Sequence, residues 1–238
     1  MNKLIKFQLR NIFTSKYFYV LAFLTLLFST GMLRLSIDDP YYFPRIPWLE
    51  KVISILKGDM SFLIMIFICM FNCYDFSNKT LKNIIGRGYT KKEYIISKYI
   101  ASIISVFAIY GILVLYFAYK LLPYGVGYNS TFILVLVNYL FKVIAYIILY
   151  STIALVVSKT SLAIIICIFS KILVSMIVSF FKYRLHIDIT KILLSNVSVK
   201  YFKIPTIDNL IITIALYLLH ILVYYIVTKS VLTTKEAK

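Results

Sequence analysis

Six long apolar runs, none containing aspartate or glutamate, set the frame of this chain: 17–33, 60–74, 99–119, 131–157, 162–181 and 209–228. Only Lys142, Lys171 and His220 interrupt them. About 20 such residues cross a hydrocarbon core as a helix. The second run has 15 residues, and reaches a full span by extending through Phe76 or by thinning the bilayer locally. The pattern predicts an all-α, polytopic membrane protein with six transmembrane helices. They fall at about 17–33, 60–76, 99–119, 131–157, 162–181 and 209–228, in a single membrane domain over 1–238.

The segments between these runs have their own periodicity. Within 2–14, Ile5, Leu9, Ile12 and Phe13 share one helical face, and Lys3, Lys6 and Arg10 lie towards the other. That spacing predicts an amphipathic helix at the inner interface over 1–16, although a plain positive anchor accounts for the same charges. On the outer side, 47–57 places Trp48, Leu49, Val52 and Ile53 where a short surface helix meets the head groups. A second outer stretch, 182–208, contains another candidate surface helix before Pro205. No internal repeat, low-complexity tract or flexible linker separates these parts.

The stretch 78–98, NKTLKNIIGRGYTKKEYIISK, is polar, basic and punctuated by glycine. Leu81, Ile84 and Ile85 are spaced to share a face, with Lys79, Lys82 and Asn83 on the remainder. Gly86 and Gly88 supply a backbone that ends a helix. Thr90 and Glu93 then form a capping box, in which hydroxyl and carboxylate satisfy each other's backbone amides. Tyr89 and Tyr94 stand at the two positions of a hydrophobic staple. Asp75 precedes the stretch at the end of the second run. The reading is helix, break, helix, with the second helix running through Lys98 into the third span.

Composition agrees with the periodicity. Charged residues are 15% of the chain and mean hydropathy is +0.89, against a charged share near ~25% in soluble domains. The net charge of +17 would suit nucleic acid, but its placement argues against that. With the N-terminus inside, the inner segments hold 14 Lys/Arg in 54 residues and the outer ones 10 in 64. Basic residues are retained on the cytoplasmic side, so both termini, the tail 229–238 and the loop 75–98 are expected there, in the plasma membrane. Anionic lipid head groups are a sufficient partner for the charge.

Candidate chemistry is sparse. Cys69, Cys73 and Cys167 all fall within apolar runs and match neither a redox nor a zinc spacing, which suits buried apolar thiols. The first apolar run is longer than a secretory core of about 7–15 residues, and no A-x-A site follows, so a span is expected rather than a cleaved signal. No phosphate-binding P-loop occurs. His220 has no carboxylate near it in sequence and reads as a hydrogen-bonded interior residue. No catalytic residue, metal site or bound cofactor is expected.

Residues 74–102, YDFSNKTLKNIIGRGYTKKEYIISKYIAS, resemble the first cytoplasmic loop of ABC-2 type transporter permeases. Asp75 stands at the acidic position, Thr80, Leu81 and Lys82 match the core, and Gly86 and Gly88 punctuate it. Lys91 and Lys92 replace the usual arginine, and Lys79 replaces the usual glycine. The likeness covers this loop in motif and the whole chain in layout. It implies a bacterial export subunit, with ATP and magnesium held by separate cytoplasmic ABC ATPase subunits and a second permease subunit, identical or homologous, as partner. The ATPase-coupling loop would comprise Asp75, Lys79, Thr80, Leu81, Lys82, Ile84, Ile85, Gly86, Gly88, Thr90 and Glu93. By analogy the cargo is a peptide, antibiotic or lipid-like molecule.

Lys142 and Lys171 fall near the middle of a ~30 Å core, by a rise of ~1.5 Å per residue. A cation there costs about 2.5–3.5 kcal/mol on insertion scales. Each therefore snorkels, bonds to Tyr139, Tyr146 or carbonyls, or lines a route for an anionic group. A different class of function, a non-transporting membrane sensor or scaffold whose basic loops bind anionic lipid or a signalling partner, explains the charge equally well but not the helix–break–helix loop.

Overall fold

The computed structural model describes residues 1–37, 60–77, 80–121, 130–184, 194 and 206–234. They form an all-helical bundle, with no strand among the described residues. The helices are α1 (Asn2–Phe13), α2 (Lys16–Ile37), α3 (Met60–Ser77), α4 (Thr80–Gly86), α5 (Lys91–Leu121), α6 (Ser130–Val157), α7 (Thr160–Arg184) and α8 (Ile207–Thr234). The expected outer helix at 47–57 and most of 182–208 lie outside the described residues. Of the latter, 182–184 end α7, and Leu194 is helical and packs with Ala145 and Tyr217.

Helix α6 is the hub, touching α3, α5, α7 and α8. One apolar core joins α1, α2, α3, α5, α6 and α7, with Ile12, Phe18, Ile68, Val106, Ile147 and Cys167 at its heart. A second cluster gathers Leu4, Ile84, Tyr94, Ile95, Leu155 and Leu232. Because Leu4 belongs to α1, Ile84 to α4 and Leu232 to the last turns of α8, both ends of the described chain meet the short helix α4 at one end of the bundle. Lys91 Nζ reinforces this by donating to the Leu232 carbonyl at 3.2 Å. Helix α8 runs past the expected end of its span at 228 into the tail as far as Thr234, and Thr228 and Leu232 continue the face buried at Thr213 and Tyr217.

Three helical stretches are long and apolar enough to cross a membrane: Lys91–Ile112, Val137–Val157 and Ile207–Thr234. The apolar stretches Lys16–Thr25, Phe62–Phe76 and Thr160–Ser170 are shorter, at 10–17 residues. By length and composition, the described residues support three spans rather than six.

Two local expectations shift. The buried face of α1 is Leu4, Gln8 and Ile12, with Ile5 and Leu9 half-buried and Phe13 exposed. The helix is rotated from the orientation its apolar residues alone suggest, because a polar partner for Gln8 lies inside the bundle. At the end of α4 only Gly88 takes the left-handed conformation, at φ +86°, whereas Gly86 is the last helical residue. The Gly88 amide donates to the Ile85 carbonyl at 2.9 Å, and the turn ends there.

Candidate functional site

The site is a buried polar joint where α1, α3, α4 and α5 converge. Asp75 lies in the last turn of α3, 1% exposed, and Lys98 lies two turns into α5, 0% exposed. The Lys98 ammonium is 2.9 Å from Asp75 Oδ2. Its other directions are also occupied: Nζ donates to the Phe71 carbonyl at 3.1 Å and sits 3.7 Å from the centre of the Phe71 ring. A cation placed over a ring face is attracted by its quadrupole. Asp75 is equally committed. Gln8 Nε2 of α1 donates to Oδ2 at 3.2 Å, and the Thr80 hydroxyl of α4 is 3.0 Å from Oδ1 and 3.2 Å from the Asp75 carbonyl.

One carboxylate thus ties three other helices to α3. Removing an ion pair from water costs several kcal/mol per ion, so a buried pair persists only when its remaining lone pairs and protons find partners. Gln8, Thr80 and the Phe71 carbonyl meet that requirement here.

Further polar contacts line the interior beside this joint. Asn72, one turn before Asp75 on α3, places Nδ2 2.9 Å from the Ile68 carbonyl, 3.3 Å from Ser102 Oγ and 3.2 Å from Ser151 Oγ, within reach of three acceptors for its two N–H groups. Tyr99 joins Thr152 at 2.8 Å and Thr228 at 2.7 Å. Such hydrogen bonds hold helices together where apolar burial supplies no driving force, as inside a bilayer.

The loop beyond the joint forms as its local chemistry dictates. Glu93 Oε2 accepts from the Thr90 amide at 3.0 Å, and the Glu93 amide donates to Thr90 Oγ1 at 3.2 Å. The capping box is present on both sides. Tyr94 is buried and Tyr89 half-buried in the same apolar cluster, as the staple requires. On α4, Ile84 is buried and Leu81 packs against that cluster, while Lys82, Asn83 and Gly86, and Arg87 in the turn that follows, remain exposed. The apolar face of α4 is therefore covered by this chain itself. Lys79 lies outside the described residues.

Lys142 is half-buried on α6. Lys171 lies on α7, and its side chain is outside the described residues. The three cysteines form no disulfide and are fully buried; Cys69 and Cys167 bring their sulfurs to 3.7 Å, and Cys73 donates to the Ala154 carbonyl at 3.4 Å. His220 Nδ1 lies 2.7 Å from the Leu216 carbonyl, one turn back on its own helix. No group of His, Cys, Asp and Glu that could hold a metal occurs among the described residues.

Sequence reasoning singled out Asp75 but missed Lys98 and Gln8. Lys98 sits at the edge of one apolar run and Asp75 at the edge of the preceding one, at matching depth in adjacent antiparallel segments. That correspondence was the available signal. Gln8, at i+4 from Leu4 and i−4 from Ile12, carried a weaker one.

The arrangement defines a class: an all-helical, strongly apolar bundle with helices able to cross a membrane, knit at one end by a buried ion pair. Compared with protein-family profiles, with curated proteins and with solved structures, the chain finds no match in any of the three.

Proposed function

We propose that this chain is the membrane permease subunit of an ABC exporter, moving a peptide, antibiotic or lipid-like molecule at the expense of ATP hydrolysed by separate cytoplasmic subunits. In this reading the shorter apolar stretches of α2, α3 and α7 cross the membrane beside the three longer ones, both termini face the cytoplasm, and a second permease subunit completes the pathway. The observation that carries it is the mounting of α4. This two-turn helix is anchored to the end of α3 through Thr80 and Asp75, and linked through Asp75 to Lys98 of α5. It leaves a polar face open to a partner. A sideways load on α4 reaches two long helices through a single carboxylate. Movement of the two helices against each other is what alternating access requires.

The exposed positions are the ones to change. Leu81 packs into the chain's own core, so its replacement confounds folding with partner loss. Lys82→Glu with Arg87→Glu leaves the buried face alone. The doubly reversed chain is expected to insert and fold normally and to lose co-purification with a nucleotide-hydrolysing subunit in mild detergent. An unaltered complex, or a wild-type complex without any ATPase, rejects the reading.

A further inference from the structure

Helix α1 has two unlike sides. Its inner side, Leu4, Gln8 and Ile12, is buried, with Gln8 on the Asp75 carboxylate. Its outer side carries Lys3, Lys6 and Arg10, all exposed, at spacings that put them on one helical face. Phe7 and Phe13, 39% and 36% exposed, flank this stripe. No acidic residue occurs on α1.

The surface next to the stripe identifies its occupant. Helix α2 follows after two residues and presents Tyr17, Tyr19, Val20, Phe23 and Leu27 to the outside. Tyr19 also fixes the turn between the helices, donating to the Phe13 carbonyl at 2.7 Å. A basic stripe, then tyrosines, then an aliphatic and aromatic flank is the order met on passing from head groups into acyl chains. An acidic soluble protein would match the stripe and leave the flank uncovered.

We propose that Lys3, Lys6 and Arg10 bind the phosphates of anionic phospholipids, with Phe7 and Phe13 at the head-group boundary, and that this contact presses α1 onto the Asp75–Lys98 joint. The helix is clamped between lipid charge outside and a protein carboxylate inside. Loss of anionic lipid loosens α1 and with it the Gln8–Asp75 hydrogen bond. The inference is independent of whether the chain serves a transporter.

The test uses the full chain in nanodiscs of phosphatidylcholine alone or mixed with phosphatidylglycerol, reading amide hydrogen exchange over residues 4–12 by mass spectrometry. Each basic side chain near an anionic surface contributes roughly a fivefold factor, so exchange is expected to slow at least about tenfold in the anionic discs. Added salt reverses the slowing, and inorganic phosphate added to neutral discs does not reproduce it. The triple variant Lys3→Gln, Lys6→Gln, Arg10→Gln exchanges at the same rate in both discs. Equal exchange of the unmodified chain in the two lipids overturns the proposal, even if the variant fails to fold. So does a lipid effect that survives in the folded variant, or one that free phosphate reproduces.

Discussion

Lys98 is a lysine with no exposed surface, and its tolerance rests on what surrounds its ammonium. A carboxylate, a carbonyl and a ring face take its three directions. Removing one partner strands the other, a change that costs roughly 3–5 kcal/mol for buried pairs, whereas replacing both by apolar residues of similar volume is often close to neutral. Asp75→Asn is therefore expected to lower the thermal midpoint in detergent strongly. Asp75→Leu combined with Lys98→Met removes both charges but strands the Gln8 amide, so it should recover part of that loss. If the double variant is as unstable as the single, the pair is not the stabilising unit described here. The capping pair Thr90 and Glu93 was legible in the sequence because its partners are three residues apart and backbone geometry brings them together. Asp75 and Lys98 meet only once α3 and α5 have packed, so spacing alone left the lysine as one more loop charge.

At the level of elements, the loop between α3 and α5 shows how little sequence a sharp break requires. Gly88 adopts φ +86°, and a Cβ added there would meet nothing within 4 Å. The cost of a side chain is thus the left-handed backbone itself, roughly 1–2 kcal/mol for a non-glycine residue. Gly86 is helical and equally uncrowded, so alanine there should be neutral or stabilising by about 0.5–1 kcal/mol. The prediction is opposite signs for two glycines two residues apart, measured by thermal unfolding of Gly88→Ala and Gly86→Ala side by side. Equal losses would mean that the break is held by contacts and not by φ. On α4 the apolar spacing matches the covered side, with Ile84 buried and Leu81 packed while Lys82 and Asn83 are exposed. The periodicity of α1 groups Ile5, Leu9, Ile12 and Phe13, whereas the side packed against the bundle is Leu4, Gln8 and Ile12. Gln8 Nε2 donates to Asp75 inside the bundle, its Oε1 is buried without a partner, and Phe13 faces outward.

For the whole molecule, the second cluster brings Leu4, Ile84 and Leu232 together, which places both described termini and the loop at one end of the bundle. In a chain with its three cysteines changed to alanine, single cysteines at Lys3, Arg87 and Thr233, all exposed, should be labelled by a membrane-impermeant maleimide from the same side. Labelling of any one of them from the opposite side contradicts the fold. The broadest features were set by the sequence alone: long uncharged runs commit their backbone to helix, and a mean hydropathy of +0.89 leaves an apolar surroundings as the natural medium for them. Turn glycine and capping box were likewise local, since each depends on residues within one helical turn. Tertiary structure decided which side of α1 is inside, that α4 is covered by its own chain, and that Asp75 gathers four helices. Those outcomes depend on where separate helices cross, and a crossing is chosen by packing and by the need to neutralise a buried charge. The linear pattern records neither until the helices are in place.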